Sequence, residues 1–119
     1  MWDYDAATGT ASNKKVVISG MEINGTGHRT RTLFIPPTDP DLLLVQRGSV
    51  GNIDNATTDP ASGRAMVKIF DRAEIEKNPA QYTKAGTILG WGLRNSVGWG
   101  QDPTTGYIVR SSRRRNWNL

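Results

Sequence analysis

One histidine, His28, stands in the stretch "EINGTGHRTRTLFI", after a Gly-Thr-Gly loop and before an apolar run. Imidazole has a reference pKa of about 6.5, so its neutral form is the natural proton acceptor near neutral pH. At the mouth of a strand such a ring can act as a general base, or can be an ordinary hydrogen-bonded surface group. The neighbouring Arg29-Thr30-Arg31 reads either as an anion contact or as a solvated edge. Arg47 closes the run "LLLVQRGS" and precedes a glycine that permits close backbone approach. A guanidinium there can stack on a planar ring or fork onto carboxylates, or simply reach water. Asn52 and Asp54, in "GNIDN", offer oxygen ligands suited to a hard cation, without the spacing of an EF-hand loop. A lone Arg94-Asn95 pair sits within "GWGLRNSVGWGQDPTTGYIV", between glycines and tryptophans.

The elements that must carry these residues are short. Apolar runs such as "VVIS", "LFI", "LLLV", "MVKIF", "TILGW" and "YIV" alternate with Gly, Pro, Asn and Asp turns. "MWDYD" reads as a strand, "AATGTASN" as a hairpin loop, and "KKVVISGM" as the next strand. "TRTLFI" follows, and the three prolines of "PPTDPD" impose a turn before the buried run "LLLVQRG". A long polar loop, "SVGNIDNATTDPASG", leads into the strand "RAMVKIFDR". The stretch "AEIEKNPAQYTKAG" is the one place for a helical turn, which Pro79 keeps short. "TILGWG" and "YIVRSS" then flank a loop containing "DPTTG", with Pro at its second position and Gly at its end. The fold class is therefore all-β: a sandwich, a barrel or propeller blades. "DYDAATG" and "QDPTTG" echo one another as Asp-led turns ending in Thr-Gly, as repeated hairpins of a propeller would.

Composition narrows the function classes. The 119 residues suit one modest domain, 36% of them are hydrophobic and mean hydropathy is −0.52. No apolar run approaches the roughly 20 residues of a membrane span, and the first residues carry no signal-peptide pattern. Cysteine is absent, which removes disulfides, thiolate metal sites and thiol nucleophiles. Asn24-Gly25-Thr26 and Asn55-Ala56-Thr57 are N-glycosylation sequons. The net charge of +4 lies wholly in residues 110–119, "RSSRRRNWNL", which leaves 11 basic and 11 acidic side chains in the body. A nucleic-acid role would rest on those tail arginines and Trp117 alone, so charge placement argues against nucleic acid as a partner.

The order "GHRTRTLFIPPTDPDLLLVQRGSVGNID", then "GLRN", then "VGWGQDPTTG" resembles the soluble quinoprotein glucose and sorbosone dehydrogenases. The likeness is greatest to their fungal branch, the quinone-dependent pyranose dehydrogenases, and runs from about residue 2 to 109. The resemblance implies about two blades of a six-bladed β-propeller over 1–109, with 110–119 as a basic, poorly ordered tail. It implies a pyrroloquinoline quinone (PQQ) cofactor activated by Ca2+, which that family holds partly through backbone carbonyls, so its ligands are not assigned here. Catalytic His28 would take the sugar hydroxyl proton, with Arg47 and Asn52 binding the cofactor. Arg94 would pair between blades, Asn95 would cap a turn, and Trp91 and Trp99 would fill space between sheets. A sugar substrate, an electron acceptor and secretion of the full-length protein follow from the same likeness. A whole propeller needs several hundred residues, and the tail departs from the family's acidic, strand-like continuation. These departures point to a fragment or a truncated gene product, inactive alone and prone to self-association through open blade edges. The alternative is a propeller-derived binding module that has lost its site.

Overall fold

A computed structural model describes residues 1–21 and 28–112. In chain order the elements are β1 (Asp3–Asp5), β2 (Thr10–Ser12), β3 (Ile18–Ser19), β4 (Leu33–Phe34), β5 (Leu42–Arg47) and β6 (Met66–Asp71). Helix α1 (Arg72–Lys77), β7 (Ala80–Gln81), β8 (Thr87–Trp91), β9 (Ser96–Gln101) and β10 (Ile108–Ser112) complete them. The described chain is thus mostly β, with little helix. None of its helices is long and apolar enough to cross a membrane.

The centre is an antiparallel sheet of order β4-β5-β6-β8. Strands β5 and β6 pair from Leu42↔Asp71 to Arg47↔Met66, so Val45, Met66 and Phe70 share one face. Those three pack with Val17, Ile75 and Tyr82 into the core. On the opposite face Gln46 is fully buried, and its Nε2 donates to the Leu93 carbonyl at 3.2 Å. Burial on both faces explains why "LLLV" lacks the apolar/polar alternation of a half-exposed strand.

A second layer closes the core face. Strands β3 and β7 pair in parallel, Ile18 opposite Ala80. Helix α1 is capped by Asp71, whose carboxylate accepts the Glu74 N–H at 2.9 Å, and Ile75 drives its apolar side into the core. The helix ends at Asn78, before Pro79, as its proline dictates. Tyr82 is fully buried, with its hydroxyl 3.2 Å from the Val45 carbonyl and 3.1 Å from that of Met66. Burial pushes this phenol far above its ordinary pKa, against the lowering pull of the Arg47 charge. Lys68 Nζ enters the same layer and donates to the carbonyls of Tyr82 (2.8 Å) and Ala85 (3.0 Å). Its burial depresses the ammonium pKa. At Gly86, φ is +79° and a Cβ would lie 2.6 Å from the Phe70 ring, so only glycine fits.

Two hairpins flank this body, and the Asp-led echo in the sequence is a structural one. In β1–β2, Asp5 accepts from the Ala7 N–H (2.9 Å) and the Thr8 hydroxyl (2.8 Å), and Gly9 is left-handed at φ +68°. In β9–β10, Asp102 accepts from the N–H groups of Thr104 (2.8 Å) and Thr105 (2.9 Å), with Gly106 at φ +71°.

Four expectations need correction. The stretch "AATGTASN" is not all loop, because the tight turn at Ala6–Gly9 returns the chain early enough for β2 to pair with β1. The stretch "SVGWGQ" is a strand, β9, although glycines at 98 and 100 weaken its strand pattern. Gly98 and Gly100 lie against Ser111 and Val109 of β10, and pairing outweighs propensity. The tail does not start at residue 110: Arg110 pairs with Trp99 and the strand runs to Ser112. Trp91 does not fill space between sheets and stays 45% exposed. Residues 113–119, with Trp117, and the sequon at Asn24 lie outside the described residues. Asn55 is exposed, in a 3-10 turn spanning Asn55–Thr58.

Candidate functional site

The end of β5 and the β8–β9 connection meet, and the polar residues gather there. Ser49 N–H donates to the Arg94 carbonyl at 2.9 Å, and Leu93 N–H to the Ala65 carbonyl at 2.7 Å. Gly48 is needed for this approach, since a Cβ would sit 2.5 Å from the Arg94 carbonyl oxygen. The glycine after Arg47 therefore admits a neighbouring backbone.

His28 lies partly buried just before β4, with its Nδ1 2.8 Å from the Ser49 hydroxyl. That hydroxyl also lies 2.7 Å from the Gly51 carbonyl, to which it donates. Arg94 extends an exposed guanidinium whose Nη2 donates to Asn52 Oδ1. Asn95 Oδ1 accepts from the Thr30 hydroxyl at 2.8 Å. Imidazole, two amides, two hydroxyls and one guanidinium are thereby drawn to one end of the sheet.

Asp54 shapes the loop that presents Asn52. Its side chain is 6% exposed, pairs with Arg64 at 2.8 Å and accepts the Val50 N–H at 2.7 Å. Burial pushes this carboxyl up, but the Val50 N–H and the bond and charge of Arg64 outweigh it and hold the pKa below the ordinary value. Asp54 therefore acts as a structural anchor, and no group of three or more His, Cys, Asp or Glu among the described residues could hold a metal ion.

Arg47 takes another direction. It is 5% exposed, and its alternation along β5 puts it on the face of Val45 and Tyr82. Its Nη1 reaches the Ser62 carbonyl at 3.4 Å. Arg31 donates to the carbonyls of Met21 (3.3 Å) and Thr30 (2.8 Å), and its pKa is lowered by burial and then by repulsion from Arg47. Of the residues singled out in the sequence, His28 and Asn52 thus lie in the polar cluster, while Arg47 enters the core layer. Ser49 carried no signal in the sequence, and Arg94 and Asn95, read there as junction residues, bond to Asn52 and Thr30. The signal for Arg94 and Asn95 was their position in a glycine-rich connection, which also suits a junction.

The family model described as TrAA12-like matches residues 1–115. The chain belongs to this family. A curated relative, the pyrroloquinoline quinone-dependent pyranose dehydrogenase of Coprinopsis cinerea, is 42% identical over 102 residues, 85% of this chain and 14% of the relative. The pyrroloquinoline quinone-dependent sugar dehydrogenase of Hypocrea jecorina is 36% identical over 110 residues, 90% of this chain and 25% of the relative. Both relatives are oxidoreductases by name. Among solved structures, the holo form of the Coprinopsis cinerea pyranose dehydrogenase PQQ domain superposes with a TM-score of 0.79 at 42% identity. It covers 90% of this chain and 26% of that domain. A calcium structure of the Trichoderma reesei family AA12 enzyme gives a TM-score of 0.80 at 36% identity, over 90% and 27% of the two chains. The TrAA12-like chain thus spans about a quarter of the solved domains it matches.

Proposed function

We propose that this chain is the part of a PQQ-dependent sugar dehydrogenase that carries the catalytic base, built as about two blades of a six-bladed propeller. One four-stranded antiparallel sheet is what a blade requires, and the β9–β10 hairpin begins a second. The observation that carries the reading is the meeting of His28, Asn52 and Arg94 at one end of that sheet, in a chain 42% identical to a pyranose dehydrogenase.

His28 takes the proton from the sugar hydroxyl that becomes the carbonyl. When bound, PQQ supplies the acceptor for the hydride from the same carbon. The donors present suit that group: the Arg94 guanidinium and the side-chain amides of Asn52 and Asn95 match quinone and carboxylate oxygens. Arg47, which the resemblance would place at the cofactor, lies in the core layer behind the cluster, where it would support the site rather than touch the cofactor. Calcium would be held partly by backbone carbonyls, as the resemblance to the quinoprotein dehydrogenases implies. The whole protein would act on a sugar, pass electrons to an external acceptor and work outside the cell.

The test is a chimera in which residues 1–112 replace their counterparts in the Coprinopsis cinerea PQQ domain. It should oxidise sugars, and His28→Ala should lower kcat/KM by roughly a hundred- to ten-thousand-fold. A folded chimera that binds PQQ without oxidising any sugar would assign this chain to a binding scaffold instead.

A further inference from the structure

We propose that Ser49 is a positioning residue that fixes the tautomer of His28, with the proton on Nδ1 and the basic lone pair on Nε2. The inference deepens the reading of His28 as the base and rests on that reading only for what the ring does to substrate.

A serine hydroxyl carries one hydrogen and two acceptor lone pairs. Ser49 Oγ lies 2.7 Å from the Gly51 carbonyl oxygen and 2.8 Å from His28 Nδ1. The carbonyl can only accept, so at 2.7 Å the serine hydrogen must lie between the two oxygens; otherwise their lone pairs would face each other. The hydroxyl then has only lone pairs left for the imidazole, and Nδ1 must be the donor. A neutral imidazole with Nδ1–H has its lone pair on Nε2, at the far edge of the ring.

Ser49 is well placed to impose this. It is 4% exposed, and its own N–H is engaged by the Arg94 carbonyl at 2.9 Å. Gly48 before it is held close to the same carbonyl, with a Cβ there 2.5 Å from the Arg94 oxygen. The arrangement follows the rule that one ring nitrogen's partner decides what the other can do. During catalysis the substrate O–H bond breaks and an Nε2–H bond forms, while Nδ1–H stays on Ser49. The bond to Ser49 is compatible with both the neutral ring and the imidazolium, so no rearrangement accompanies proton transfer.

The test uses the chain's single histidine, which makes every imidazole signal unambiguous. Long-range 1H–15N correlation spectra of the 119-residue chain, recorded above the pH at which the ring titrates, should show a pyrrole-type Nδ1 and a pyridine-type Nε2. The opposite assignment in the wild-type chain overturns the proposal and needs no variant. Ser49→Ala should shift the ring toward the Nε2–H form that free imidazole favours in water, and Ser49→Thr should keep Nδ1–H. A folded Ser49→Ala chain that retains Nδ1–H would overturn the role of Ser49. In the chimera, Ser49→Ala should lower kcat with KM little changed. If the spectra agree but the chimera is inert, the functional reading fails and the tautomer assignment stands.

Discussion

Strands β5 and β6 and the hairpin β1–β2 are all short and antiparallel, yet they are held by opposite means. Every residue from Leu44 to Arg47 is buried, and Met66 and Phe70 lock them to Tyr82 and α1 across long sequence separations. Every residue of β1 and β2 is exposed, and their pairing rests on an Asp side chain, a threonine and a left-handed glycine within a few residues. The core is made by tertiary packing, and the flanks by turn chemistry. The flanks also leave large apolar groups in water, with Tyr4 69%, Val109 55% and Tyr107 74% exposed. In an isolated domain such a surface is a liability. On the propeller reading proposed above, neighbouring blades would cover it.

The sharpest way to break this contrast is to empty one site in each region. Phe70→Ala, in the core, should cost about 3–5 kcal/mol. Tyr107→Ala, on the flank, should fall within about 0.5 kcal/mol. Urea denaturation followed by circular dichroism measures both. Similar losses would mean that the flanks belong to the cooperative core.

A smaller effect separates the loop under the site from both regions. The folded Asp54 pKa lies below its unfolded value, so its stabilisation is complete above the unfolded pKa near 3.9 and is lost as pH falls through the folded one. At neutral pH, Asp54→Asn should cost about 1.5–3 kcal/mol, as expected for hydrogen bonds to a charged group. Below about pH 4 the difference between variant and wild type should shrink. Urea midpoints at pH 7 and pH 3 test this, and a pH-independent difference would remove the carboxylate from the account.

The smallest expected effect is at the turns. Asp102→Ala removes the acceptor for two exposed N–H groups that water can replace. It should cost about 0.5–1.5 kcal/mol and raise hydrogen exchange in β9–β10, leaving β5–β6 protection unchanged.

The same contrast explains what could be read before folding. The Asp5 and Asp102 turns, the break at Pro79 and the doubly buried β5 were legible, because each depends on local chemistry or on a dense apolar run. The strand β9 was hidden by Gly98 and Gly100, whose pairing with β10 overrides a poor local preference. The parallel β3–β7 pair was hidden too, since Ile18 and Ala80 lie 62 residues apart in the sequence. At the site, His28 stood out by residue type. Ser49 did not, because a serine after a glycine carries no signal until the Arg94 carbonyl is brought to its N–H. The polar character of Arg94-Asn95 was visible, but which side of the junction it served depended on where Asn52 and Thr30 lie.

On the function proposed above, this chain would pre-assemble the base and part of the cofactor contacts, and further blades would supply the rest of the site. Catalytic groups on a scaffold's loops act only when reactants are held in place, and that positioning can be worth roughly 7–11 kcal/mol. The direct measurement is dye reduction by the purified 119-residue chain supplied with PQQ, calcium and a panel of aldoses. The account predicts a rate at background, the same for wild type and His28→Ala. Sugar-dependent turnover that disappears in His28→Ala would contradict it, by showing that this quarter of the domain is already a working enzyme.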